Sequence, residues 1–111
     1  MFVRLARFED IDPEGRDARM SQFRRDIEAV KAGDVPEGMP PRAAEVLRSS
    51  VARVVALVDR DAAANEASAV FCPTEEDLRR VDEVLNAMSP GDEGGSRTGV
   101  AYYEVALDIE L

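Results

Sequence analysis

Two stretches of this chain carry the same apolar rhythm. Met20, Phe23, Ile27 and Val30 are spaced three, four and three residues apart, and Leu78, Val81, Leu85 and Met88 repeat that spacing. Each set falls on one side of an α-helix. Residues 2–8 alternate instead, with Phe2, Ala6 and Phe8 on one side, Val3 and Leu5 on the other, and Arg4 and Arg7 on opposite sides. That is a strand with apolar residues on both faces. Val54-Val55-Ala56-Leu57-Val58 lies inside a second strand, expected over 51–59, and its unbroken apolar run reads as an interior strand buried on both faces. A hairpin turn at 61–65 leads into a third strand at 66–72, which Pro73 ends. A last strand is expected at 100–109, with Ala101, Tyr103, Val105, Leu107 and Ile109 on one face.

Helix boundaries are marked by chemistry. Asp12 can cap exposed N–H groups and Pro13 tolerates a first helical position. Gly15 weakens the first turn, so the true helix is expected nearer Asp17, running to about Ala32 with Gly33 as its stop. The segment 34–41 holds three prolines and a glycine and reads as a loop. A short helix over 42–49 follows, with Ala43, Ala44 and Leu47 on one side. Thr74-Glu75-Glu76-Asp77 opens the second long helix in capping-box style, and Ser89-Pro90-Gly91 closes it. Residues 89–98 read as a polar loop.

The order β-α-β-β-α-β predicts an α+β, ferredoxin-like sandwich in a single domain, 1–111, with a short extra helix before strand two. Right-handed crossovers put both long helices on one face of a four-stranded antiparallel sheet. The two stripes are then expected to supply much of the core. The opposite face is also apolar, and a monomer rarely exposes so large a patch. The sequence therefore predicts a homodimer through the sheet face.

Four segments, Met1-Phe2-Val3-Arg4-Leu5-Ala6-Arg7-Phe8, Val54-Val55-Ala56-Leu57-Val58-Asp59-Arg60, Thr74-Glu75-Glu76-Asp77-Leu78 and Tyr103-Glu104-Val105, together make the chain resemble the dimeric α+β barrel superfamily, near its antibiotic-biosynthesis-monooxygenase-like group. The resemblance implies a two-sheet dimer and a small-ligand cleft between sheet and helices. Members include cofactor-independent oxygenases of aromatic polyketides and haem-degrading enzymes. The chain has no His and no Trp. The His ligation of the haem-degrading members and the Asn–Trp pair of oxygenase-type pockets therefore have no counterpart here.

Charge narrows the partners. With 23 acidic against 14 basic residues the net charge is −9, which disfavours nucleic acid and anionic membrane surfaces. The longest uninterrupted apolar run is far too short to span a bilayer, charges break up the opening segment, and the single Cys72 suits a reducing compartment. A cytoplasmic location is the expectation.

Candidate chemistry is sparse. Asp59, Asp61, Asn65 and Glu66 mimic a calcium loop, but positions 63 and 64 are both Ala, so a polar turn is expected and no metal. Gly91, Gly94 and Gly95 follow a helix beside Asp92 and Glu93, the reverse of a phosphate cradle. Cys72 is either a small buried residue or a thiol near a helix N-terminus. The least ordinary set is Arg4, Arg53, Tyr102 and Tyr103, a guanidinium–phenol combination in apolar strands that could line a ligand site. Its bland alternative is ion pairing at sheet edges with Tyr rings filling core. The adjacent tyrosines must point to opposite faces. The functional expectation is a homodimer binding a small aromatic or oxygen-rich ligand without turnover and without a cofactor. The alternative is a cofactor-independent monooxygenase acting on an aromatic polyketide-like substrate.

Overall fold

A computed structural model describes residues 1–88 and 95–111. It contains four strands, β1 (Phe2–Glu9), β2 (Arg53–Val58), β3 (Glu66–Cys72) and β4 (Ser96–Glu104), and three α-helices, α1 (Arg16–Lys31), α2 (Pro41–Ser50) and α3 (Glu75–Asn86). A 3-10 turn, Pro13–Gly15, precedes α1. The strands form one antiparallel sheet in the order β2-β3-β1-β4. This α+β arrangement is compatible with a ferredoxin-like fold. Among the described residues, no helix is long and apolar enough to cross a membrane.

The start and stop signals work locally as their chemistry dictates. The Asp12 carboxylate accepts from the Glu14 amide at 3.0 Å, and helical geometry is regular from Arg16. Gly33 adopts a positive φ of 89°, and the Gly33 and Asp34 amides donate back to the carbonyls of Val30 and Ala29. Thr74 Oγ1 accepts from the Asp77 amide at 3.0 Å, and Arg80 pairs with Glu76 at 3.3 Å on the next turn.

Register assigns the two faces of the sheet. Arg4 reaches α3, while Phe2, Val54, Val70 and Cys72 pack beneath the helices. Alternate residues point the other way. The core lies between β1–β3 and the pair α2–α3: Ala43, Ala44, Val46 and Leu47 meet Leu78, Val81 and Val84 over Val70 and Cys72. The short helix expected over 42–49 is thus a principal core element. Its buried side recurs at helical spacing within one short amphipathic segment.

Three expectations need correction. The first stripe does not supply core along its length: of its four residues only Val30 is buried, and Phe23 is 42% exposed. Strand β2 is an edge strand rather than an interior one, with Leu57 and Val58 exposed. Its apolar run faces the space below α1 on one side and the bare sheet face on the other, so two-sided apolarity here does not mean two-sided cover. The last strand also begins and ends earlier than expected. It pairs with β1 from Glu9↔Ser96 to Phe2↔Glu104, and 105–111 lie beyond that ladder. Of the loop expected at 89–98, residues 89–94 fall outside the described residues, while 96–98 belong to β4. The stop at Ser89-Pro90-Gly91 falls outside them as well.

Val3, Leu5, Val55, Leu57, Phe71 and Ala101 occupy the face away from the helices, between Arg53 and Tyr103. No helix among the described residues covers this face.

Candidate functional site

The site begins with the side of α1 that fails to enter the core. Met20, Phe23 and Ile27 face Val54 and Ala56 of β2 across an open cleft of about 480 Å³. Asp17, Ser21, Arg24 and Glu28 line its rim. That volume lies within the roughly 300–1,000 Å³ range of small-molecule sites, and an apolar wall with a few polar groups is their usual chemistry.

Both ends of α1 are held. At its start, Arg16 Nε and Arg19 Nη2 each lie 2.8 Å from Glu66 Oε2 on β3, and an Arg16 guanidinium N–H also donates to the Ala63 carbonyl. Burial pushes the Glu66 pKa up, but hydrogen bonds from Arg19 and Arg16, with their positive charges, more than offset this and leave it lowered. At its end, Val30 enters the core beside α2. The middle turns of α1 are suspended between these anchors, with Phe23 and Ile27 presented to the cleft.

The four residues singled out from the sequence separate into two groups. Arg4 and Tyr102 are register partners on the helix side and converge on α3. Arg4 Nε donates to Asp82 Oδ1 at 2.9 Å, Arg4 Nη2 donates to Asn86 Oδ1 at 2.7 Å, and the Tyr102 hydroxyl donates to Asp82 Oδ1 at 2.8 Å. Arg4 is 3% exposed, so this ion pair clamps α3 to the middle of the sheet. The Tyr102 pKa is raised, first by its hydrogen bond to Asp82, then by burial and by the Asp82 charge. A phenol held protonated in this way is a hydrogen-bond donor and a poor base. Arg53 and Tyr103 lie on the opposite face at opposite edges of the sheet. Arg53 sits 5.7 Å from the Phe71 ring centroid, a cation–π contact, and Tyr103 is half exposed. The structure therefore does not assemble Arg4, Arg53, Tyr102 and Tyr103 into one pocket. The expectation that adjacent tyrosines face opposite sides holds.

The other candidates resolve into structural roles. Cys72 is fully buried, and its thiol is pushed up to about 11 by burial and by the Asp77 charge, the opposite of activation. Asp59 Oδ1 accepts from the amides of Asp61 and Ala62, which closes the hairpin turn, while Glu66 is committed to the two arginines. Gly91 and Gly94 fall outside the described residues. Gly95 has φ 67° and approaches the Glu9 backbone so closely that a Cβ would clash with it, a packing reason for glycine.

Sequence reasoning missed Glu66, Arg16 and Arg19 as a cluster and the α1–β2 cleft as a site. A signal for the first was present: Arg16 and Arg19 are three apart on one side of α1, opposite an acidic residue that opens an otherwise uncharged strand. No protein-family model and no curated protein matches this chain.

Proposed function

We propose that this protein is a homodimeric binding protein that holds a small aromatic or oxygen-rich molecule in the α1–β2 cleft without chemical turnover. The observation that carries the reading is the suspended apolar stripe. Met20, Phe23 and Ile27 line an open cleft over Val54 and Ala56 rather than closing onto the sheet. Burying such side chains against a ligand recovers roughly 25 cal/mol for each Å² of apolar surface removed from water. The flat Phe23 ring favours an aromatic partner through stacking. Ser21 and Arg24 at the rim offer hydrogen bonds to oxygen substituents.

The state of the candidate chemical groups supports a reading of binding without turnover. Arg4, Asp82 and Tyr102 are committed to one another, and Cys72 is buried and protonated. The sheet face away from the helices supports dimerisation in the manner of an α+β barrel, because Leu5, Val55, Leu57 and Phe71 form an apolar surface that no helix among the described residues covers. The reading takes the protein to be cytoplasmic.

Titration with the aromatic dye anilinonaphthalene sulfonate, followed by fluorescence and by thermal shift, tests this. Saturable binding is expected, weakened about tenfold by Phe23→Ala and abolished by Ala56→Trp, which fills the cleft from its floor. Dye binding indifferent to Ala56→Trp would overturn the proposal. Oxygen uptake with a panel of aromatic quinols should match buffer alone. Uptake that depends on the protein and disappears with Ala56→Trp would favour a cofactor-independent monooxygenase instead.

A further inference from the structure

We infer that the cleft takes an extended peptide, which adds to the free edge of β2 in the antiparallel sense and places an aromatic side chain opposite Ala56. This rests on the ligand-binding reading above and names the class of molecule bound. The cleft is lined from α1 and β2, and β2 is an edge strand, so the cleft lies along the border of the sheet. A peptide supplies both features of the proposed ligand, an aromatic ring and carbonyl oxygens.

Hydrogen-bond parity identifies the free backbone groups. The Asp59 amide donates to the Asn65 carbonyl at 3.1 Å, in register with the pairs Leu57↔Ala67, Val55↔Ala69 and Arg53↔Phe71. Backbone groups alternate in direction along an antiparallel strand, so the odd-numbered residues of β2 bond to β3. The N–H and C=O groups of Val54, Ala56 and Val58 therefore point out from the sheet edge. Edge strands are commonly guarded by a charge, a proline or a bulge. The β4 edge carries a register shift opposite Arg7 and Phe8. From Val54 to Val58, β2 has no charged residue, no proline and no register shift. Such an edge is a template for strand addition.

The same parity couples the edge to the cleft. Val54 and Ala56 form the cleft floor. Residues directly opposite one another across an antiparallel pair share a face. A peptide residue opposite Ala56 therefore sends its side chain into the cleft, toward Met20, Phe23 and Ile27. Ala56 is the smallest residue of β2, which leaves room there for a ring that meets Phe23. Charge sets the flanks. The third peptide residue after the aromatic lies opposite Arg53, and the third before it lies opposite Asp59. Asp59 accepts both turn amides on Oδ1, and Oδ2 takes no part in that turn. An acidic residue after the aromatic and a basic residue before it complement this pair.

Calorimetric titration and amide exchange on the full chain test the inference. The probe is the end-capped heptapeptide Lys-Ala-Ala-Phe-Ala-Ala-Glu. It should bind saturably, compete with anilinonaphthalene sulfonate, and slow exchange at Val54, Ala56 and Val58 while leaving Val55 and Leu57 unchanged. Methylating the Phe amide nitrogen should weaken it about tenfold, and exchanging Lys with Glu about threefold. Binding indifferent to the N-methyl group, or without the alternating protection, overturns the strand addition. Slow exchange at Val54, Ala56 and Val58 in the free protein would show the edge already covered by a second copy, and overturns it too. Saturable dye binding without peptide binding overturns this inference and leaves the cleft reading standing. A chain that binds neither overturns both.

Discussion

Helices α1 and α3 carry the same stripe and meet opposite fates. In α3, Leu78, Val81 and Val84 are buried, and Leu85 packs against the core. In α1, only Val30 is buried. The difference lies in what each helix rests on. Helix α3 has α2 alongside, Val70 and Cys72 beneath, and the Arg4–Asp82 pair tying it to the central strand β1. Helix α1 lies over the edge strand β2 and is fastened through its ends, by Glu66 at one and Val30 at the other. Identical periodicity therefore marks core in one place and the wall of an open cleft in the other. Amphipathicity states that a face will be covered, and leaves open by what.

The contrast can be broken most forcibly at the clamp on α3. Asp82→Ala leaves the buried Arg4 guanidinium without its counter-charge and should destabilise the protein by about 3–5 kcal/mol in urea unfolding. A loss below about 1 kcal/mol would mean that Arg4 is rehydrated and that α3 is no better anchored than α1. Next comes the stripe itself. Leu78→Ala should cost about 2–5 kcal/mol, whereas Phe23→Ala should cost under about 1 kcal/mol while weakening dye binding. Equal losses at the two positions would erase the distinction.

Smaller effects sharpen the difference between the helix anchors. The folded-state pKa of Glu66 is lowered, so its contribution is fully present above its ordinary value of 4.5 and is lost as pH falls through the folded value. Acidification below pH 4.5 should therefore speed amide exchange in the first turns of α1 before it does so in α3, and Glu66→Gln should leave those turns fast at every pH and abolish the acid-induced change. The smallest effect concerns Cys72. Its folded pKa is raised to about 11, so its contribution is complete below the ordinary value of 9.0 and lost as pH rises through about 11. At neutral pH a thiol reagent should label the native chain slowly and the urea-unfolded chain at once. Rapid native labelling would place Cys72 outside the core.

Much of the fold was legible in the residues. Asp12-Pro13, Gly33 and Thr74 mark helix ends through caps that depend on a few adjacent atoms. Alternation in residues 2–8 reports a strand because the side-chain period is a backbone property, and the turn at 61–65 with Pro73 brackets the strand at 66–72. Facts set by distant partners were less legible. The run Val54-Val55-Ala56-Leu57-Val58 looks interior because composition records apolarity and not the order of strands. The early end of β4 depends on where β1 runs out. The candidate site was read less well still. Arg4 and Arg53 both interrupt apolar strands, yet one enters an ion pair below α3 and the other stacks on Phe71, a difference fixed by odd and even register. The Glu66 cluster joins residues far apart in the chain, and its spacing became meaningful only once α1 lay across β3.

Under the proposed function the α1 stripe is the wall of a ligand cleft, while the α3 stripe is core. Methyl NMR of the full-length protein during titration with anilinonaphthalene sulfonate tests this most directly. Saturable shifts are expected at Met20, Ile27 and Val54, with the Val81 and Val84 methyls unmoved. Shifts absent from α1, or equally large in both helices, would contradict it.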